Sequence, residues 1–257
     1  MKHSCLSYSL LAAWLHFGTA WSSELTFVTE HFPPFSYEVS ATKQGTGPMA
    51  EVVTAVCNKI RAQCTIQAYP WRRAMLMAKS GEVDGIFSFL RTPEREQSFF
   101  FSENIVESAY SFFAPTPSTF HYKKPQDLEG YTVAVYGISS GTGIALQDLL
   151  PLVSNVTIST DIKNSTVLKK LAAGRYGNRE KTIAAMNRDV GLHLIKAENI
   201  KGIKEVGDYR KISYGIGFSK NKVSEAQFKE FNEALKELIK EGQVSAILGK
   251  YGLKPSP

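Results

Sequence analysis

The sequence predicts an α/β protein with a largely parallel sheet. Strand-like and helix-like segments alternate from residue 25 to 89, and they alternate again from 132 to 218. Between the two sets lies a connector with Pro115 and Pro117 among Ser and Thr residues, which marks a lobe boundary. At 257 residues with 43% hydrophobic content, the chain can bury a substantial core as one large domain or as two lobes.

The first element is a targeting segment. Lys2 and His3 precede an apolar stretch over 6–17, and the small residues Gly18, Ala20 and Ser22 follow, the layout of a secretory signal peptide spanning 1–22. The stretch is short of the ~20 residues that span a bilayer. Cys5 lies too early to accept a lipid. Export would place Cys57 and Cys64 in an oxidising compartment that lets them pair; two reduced core thiols are the other reading. Seven helical residues separate Cα atoms by about 10 Å, beyond the ~7 Å limit of a disulfide, so pairing requires the helix to end between them. No His or third Cys stands near enough to suggest a metal.

Residues 25–29 alternate as a strand and run into His31-Phe32-Pro33-Pro34-Phe35, a rigid turn. After a loop, Met49, Val52, Val53, Val56 and Ile60 recur at helical spacing, and 65–69 resume an extended pattern. Residues 71–79 form a short helix stopping at Gly81, and 83–89 a strand before Arg91-Thr92-Pro93-Glu94-Arg95. In the second set, the strand 132–136 enters Gly137-Ile138-Ser139-Ser140-Gly141-Thr142, followed by a helical pattern through Leu150. Asn164 or Ser165 caps a helix ending at Gly174; 183–186 is a buried strand, 190–195 a helix, 212–218 a strand, and two helices close the chain.

The net charge of +6 is spread among acids with no basic run, which argues against a nucleic-acid partner and leaves a weak bias toward anionic groups. GISSG (137–141) fits the G-x-S-x-G nucleophile elbow and sits between strand and helix, with His193 further on; three fixed residues in a Gly- and Ser-rich turn are a weak signal of a hydrolase.

Several segments together carry a resemblance: Phe32-Pro33-Pro34-Phe35, CNKIRAQC (57–64), GEVDGIFSFLRTPERE (81–96), FSENI (101–105), LAAGR (171–175) and GKYGL (249–253). From Leu25 to Leu253 the chain resembles the bacterial extracellular solute-binding proteins of the polar amino acid uptake type, which feed ATP-driven importers. The resemblance implies a two-lobed, type II periplasmic-binding-protein fold with two crossover strands near 111–114 and 208–213. The first lobe would hold 23–112 and 212–257, the second 113–211. It further implies a non-catalytic monomer in the periplasm, with no cofactor and no metal, closing on a small carboxylate-bearing ligand for an inner-membrane permease. The cysteine segment is similar to that of basic amino acid binders, where the pair is bonded.

Carried over residue by residue, Arg95 would hold the ligand carboxylate, since two parallel N–H donors match two carboxylate oxygens; by itself it reads as a solvated arginine. Ser88 and Leu90 match positions that meet the ligand. Ser139 and Ser140 match a hydroxyl pair at a helix N-terminus, where free N–H groups favour an anion and where plain helix capping gives the same geometry. Phe32, Phe35 and Trp71 are either cleft walls or core aromatics, and Arg73 resembles a subgroup arginine near the cleft. One departure stands out: the amino acid binders place an aspartate against the ligand's α-ammonium, and here that position is Asn187, which carries no charge. Asp189 or Glu30 could supply it, or the ligand lacks an α-ammonium. Exported dehydratases acting on prephenate or arogenate share this fold and use a cleft carboxylate as general acid, a competing enzymatic reading. A periplasmic sensor role would require another chain.

Overall fold

Successive side chains of a strand leave on opposite faces. Phe27 therefore packs into one core cluster and Val28 into another, and Phe112 and Phe113 part in the same way. A sheet apolar on both faces needs cover on both, and the helices supply it. The computed structural model describes residues 24–138 and 140–257. The signal-peptide expectation and Ser139 lie outside the described residues.

The first part of the chain runs β1 (Glu24–Thr29), β2 (Tyr37–Val39), β3 (Gln44–Thr46), α1 (Pro48–Lys59), β4 (Gln63–Ala68), α2 (Trp71–Ser80), β5 (Gly85–Leu90), α3 (Pro93–Glu96) and β6 (Phe99–Phe101). The long strand β7 (Val106–Pro115) leads into β8 (Thr132–Tyr136), α4 (Gly141–Gln147), β9 (Thr157–Asp161), α5 (Asn164–Ala172), β10 (Thr182–Asn187) and α6 (Arg188–Ala197). The 17-residue strand β11 (Ile203–Ser219) returns, followed by α7 (Glu225–Lys240), α8 (Gln243–Gly249) and β12 (Lys254–Pro255).

The strands share one sheet path, β2-β3-β4-β1-β5-β11-β7-β10-β8-β9, with β6 beside β11 and β12 beside β7. β1 is parallel to β4 and β5, and β8 is parallel to β9 and β10, as the alternation predicts. The two middle strands run against this: β7 and β11 are antiparallel to each other, β11 to β5, and β7 to β10. β11 thus pairs into the first half and β7 into the second, the two pair with each other between them, and the result is a two-lobed fold. The cores divide accordingly. Clusters around Phe27, Val53 and Phe231 and around Ile86 and Phe99 flank the first half, while Phe112, Val133 and Ile183, and Phe113, Leu168 and Met186, flank the second.

α1 shows how sequence makes an element here. Pro48 opens it, Met49, Val52, Val53 and Val56 form a fully buried stripe, and each such side chain contributes about 1.5–3 kcal/mol. It stops at Lys59, so the chain can turn and bring Cys64 back to Cys57, and the two are bonded with Cα atoms 6.2 Å apart. α2 ends as expected at Gly81, whose φ of +80° is left-handed. Two expectations are corrected. α5 has Lys163 at its N-cap without a side-chain cap bond, because Asn164 is already its first helical residue. The loop after Phe35 contains the hairpin β2–β3, held by backbone pairing that its polar sequence does not announce.

Candidate functional site

In open α/β sheets, ligands lie beyond the carboxyl ends of parallel strands. Four such ends carry the candidates: β1 delivers Glu30 and Phe32, β5 delivers Leu90 and then Arg95, β8 delivers Ser140, and β10 delivers Asn187.

Arg95 sits in the single turn of α3, whose N-cap Thr92 accepts the Arg95 N–H at 3.3 Å. Its Nη1 donates to the Leu90 carbonyl at 2.7 Å, and its guanidinium lies 4.4 Å from the Phe89 ring centroid and 5.6 Å from that of Trp71. Such cation–π contacts contribute roughly 0.5–2 kcal/mol each. Burial pulls the guanidinium below its ordinary pKa. Among the described residues no carboxylate pairs with it, whereas its neighbour Arg91 pairs with Glu96. Arg95 is a partly desolvated cation without a counter-ion, the arrangement that favours an anionic guest.

Ser88 is buried and holds a φ of +57°, an uncommon conformation for a residue with a Cβ and one that costs about 1–3 kcal/mol. Its Oγ lies 3.4 Å from that of Ser36, which accepts from Thr29 Oγ1 at 3.1 Å and donates to the Glu30 carbonyl at 2.9 Å. This row of hydroxyls ties β5 to the end of β1. Phe32 is half-buried and stacks on Phe35 at 5.3 Å; Phe35 has no exposed surface and packs on Tyr214 at 5.1 Å, so it backs the wall from the core. Trp71 is half-buried against Phe89 at 5.9 Å. Arg73, in contrast, is exposed and lies 4.3 Å over the Tyr69 ring.

At the end of β8, Ser140 is the N-cap of α4, its Oγ accepting the Gly143 N–H at 3.0 Å, so its hydroxyl oxygen is engaged in capping. Asn187 is likewise an N-cap, for α6: Oδ1 accepts the Val190 N–H at 3.1 Å, and Nδ2 donates to Ser108 Oγ at 3.0 Å and Tyr214 Oη at 3.2 Å. Only 3% of it is exposed, and both amide protons are committed within the chain. Asp189, two residues on, accepts from Ser108 Oγ at 2.5 Å.

Tyr110 on β7 and Tyr214 on β11 were not legible as site residues. Burial raises both hydroxyls above their ordinary pKa, and both feel the Arg95 charge. Their signal in the sequence is only a tyrosine in each of two apolar strands. The Glu30 charge adds to the rise at Tyr214, and burial pushes the Glu30 carboxyl up to about 7. His193 on α6 packs edge-on to Tyr37 on β2 at 6.1 Å, and burial lowers its pKa. Among the described residues no cluster of His, Cys, Asp or Glu could hold a metal, and no helix is long and apolar enough to cross a membrane.

The two halves joined by the pair of connecting strands define a two-lobed α/β fold. The family model for bacterial extracellular solute-binding proteins, family 3, matches residues 25–254, and the chain belongs to that family. It is 26% identical over 226 residues to the probable amino-acid-binding protein YxeM of Bacillus subtilis, covering 85% of this chain and 79% of that one. Among the solved structures that share the fold, two illustrate it. One is a histidine kinase sensor domain with similarity to periplasmic binding proteins, at a TM-score of 0.72 and 20% identity, covering 91% of this chain and 98% of the other. The second is the ancestral amino acid-binding protein AncCDT-1, a precursor of cyclohexadienyl dehydratase, at 0.70 and 19%, covering 89% and 94%.

Proposed function

We propose that the chain captures a small polar metabolite bearing a carboxylate, an amino acid or a derivative of one, and delivers it as a periplasmic monomer to an ATP-driven importer of the inner membrane. One observation carries the reading: Arg95, partly buried over Phe89 and Trp71, has no carboxylate partner among the described residues. The lobes 23–112 with 212–257 and 113–211 close on the ligand through β7 and β11. Phe32, Trp71 and Leu90 line it, Ser88 shapes the β5 end, and Ser140 at the start of α4 faces it from the second lobe. Membership of the family and the likeness to YxeM support an amino-acid-like ligand.

Thermal-shift screening against amino acids, opines, polyamines and small organic acids identifies the guest, because a ligand at 100 times its Kd stabilises by about 2.7 kcal/mol. Arg95→Ala then weakens the best binder by two orders of magnitude or more, since hydrogen bonds to charged groups contribute roughly 1.5–3 kcal/mol each. Unchanged affinity in that variant ends the reading.

A second reading has its own observation. A desolvated carboxyl at Glu30 that titrates at about 7 is suited to general acid chemistry, as the dehydratase alternative requires. Turnover of prephenate, followed spectrophotometrically, would establish it, and loss of turnover in Glu30→Gln would assign the acid.

A further inference from the structure

The Tyr37 ring on β2 meets two imidazoles. His31, in the turn after β1, packs edge-on to it with ring centroids 6.2 Å apart, and His193 on α6 does the same at 6.1 Å. β2 belongs to the first half of the molecule and α6 to the second, so the Tyr37–His193 contact joins the halves outside the two connecting strands. Tyr37 and His193 are half-buried, and His31 is exposed. The Nδ1 of His31 accepts the Glu38 N–H at 3.1 Å, which holds the ring beside Tyr37 and requires that this nitrogen carry no proton.

We propose that His31, Tyr37 and His193 form an acid-sensitive latch: with both imidazoles neutral it holds α6 of the second half against β2 of the first, and protonation releases it. An imidazolium at a tyrosine ring gains cation–π attraction. Against this stand the lost hydration of a half-buried ring and the like charges of His31 and Lys196. These prevail, since burial first and then those two charges pull His193 below its ordinary 6.5. A proton on His31 Nδ1 also takes the acceptor from the Glu38 N–H. The carboxylates nearby are engaged elsewhere. Asp189, one turn before His193 on α6, accepts from Ser108 and lies 3.9 Å from Arg188 Nη2, and Glu198 pairs with Lys169 of α5 at 2.6 Å. Tyr251, which feels the Tyr37 hydroxyl, donates to Glu51 of α1, and Glu51 also meets Lys250 at 3.4 Å. Glu30, next to His31 in the chain, titrates at about 7 and so loses its charge over the same range. The joined form therefore binds the His193 proton less tightly than the separated form. Its contact is at full strength above about 6.5 and is lost as pH falls through the lower value. Where the halves enclose a guest, as the capture reading has it, retention weakens in acid by at most about tenfold per pH unit for one proton.

The test uses the full chain without any ligand, so its failure leaves the capture reading standing, and unchanged binding in Arg95→Ala leaves the latch standing. Small-angle X-ray scattering at pH 7.5 and 5.5 reads the separation of the halves, and proton NMR of the imidazole C–H signals follows each histidine. The expected result is a compact chain at pH 7.5, a larger radius of gyration at pH 5.5, and a His193 titration below 6.5. His193→Phe, which keeps a ring against Tyr37 and takes no proton, stays compact at both pH values even though Glu30 and His31 remain. Tyr37→Ala is expanded at both and returns the His193 titration toward 6.5, a shift that a merely structural role for Tyr37 would not produce. The inference is overturned if the wild type has the same radius at both pH values, compact or expanded, or contracts in acid. It is equally overturned if His193→Phe expands in acid as the wild type does, or if the wild-type His193 titrates at or above 6.5, a measurement that depends on no variant.

Discussion

The side-chain amide of Asn187 donates to the Tyr214 hydroxyl at 3.2 Å, and so joins the N-terminus of α6 to the strand β11 that carries the chain back toward the first half. The same side chain caps α6 and holds Ser108 on β7. Asn187→Ala removes all three bonds and leaves two buried hydroxyls to find new partners. A cap contributes about 0.5–2 kcal/mol and an ordinary hydrogen bond about 0.5–1.5. A loss of roughly 2–4 kcal/mol is expected in urea denaturation, and a loss under 1 kcal/mol would mean that water replaces Asn187 easily.

Glu30 sets a stability prediction that needs no ligand. Its folded pKa of about 7 lies above the ordinary 4.5, so the folded state holds the proton more tightly than the unfolded chain. The contribution is fully present below pH 4.5 and is lost as pH rises through about 7. The 2.5-unit difference corresponds to at most about 3 kcal/mol, less whatever solvent in the cleft screens. Glu30→Gln, which never ionises, should melt above the wild type at pH 8 and level with it at pH 4. Equal melting temperatures at pH 8 would show that the carboxylate is already solvated.

What the sequence could reveal follows the range of the interactions. β1, β8 and α1 were legible because apolar periodicity is written within a few residues of Phe27, Val133 and Val53. The sequence pattern predicts β11 over 212–218 only: its first half carries Lys204, Glu205, Asp208 and Arg210, and it is a strand because β7 pairs beside it, a contact across about a hundred residues. The site divides in the same way. Arg95 was visible in its motif, yet its lack of a counter-ion is a property of the whole fold. Asn187 was visible as an unusual residue, whereas its bond to Ser108 spans 79 positions and no local pattern encodes it.

The Cys57–Cys64 bridge closes a loop of separation 7 between the end of α1 and β4. In the chain-entropy model so short a loop contributes about 2–3 kcal/mol. The double variant Cys57→Ser/Cys64→Ser should melt about 5–10 °C lower, given that 1 kcal/mol shifts a chain of this size by about 2–4 °C. Adding a reductant to the wild type should reproduce the shift and leave the variant unchanged. A reductant effect on the variant would place the sensitivity elsewhere.

Gly141 opens α4, and the Tyr110 hydroxyl lies so close that a Cβ on residue 141 would overlap it. The hydroxyl is not a loose end: Tyr110 is 3% exposed, its ring lies 6.0 Å from that of Tyr209, and Tyr209 in turn donates to the Thr142 carbonyl of the same helix at 3.1 Å. Gly141→Ala must therefore shift either α4 or the cleft floor, at about 1–3 kcal/mol, although alanine in an open helical position would by propensity stabilise. Tyr110→Phe removes the obstructing oxygen. The double variant Gly141→Ala/Tyr110→Phe should then be more stable than the sum of the single effects allows, with a coupling of about 1 kcal/mol or more in a denaturation cycle. Ligand affinity should fall in Gly141→Ala and partly return in the double variant, because the contact sets the distance between the α4 turn and the tyrosines beneath the cleft. Strict additivity would show that residues 110 and 141 do not touch in solution.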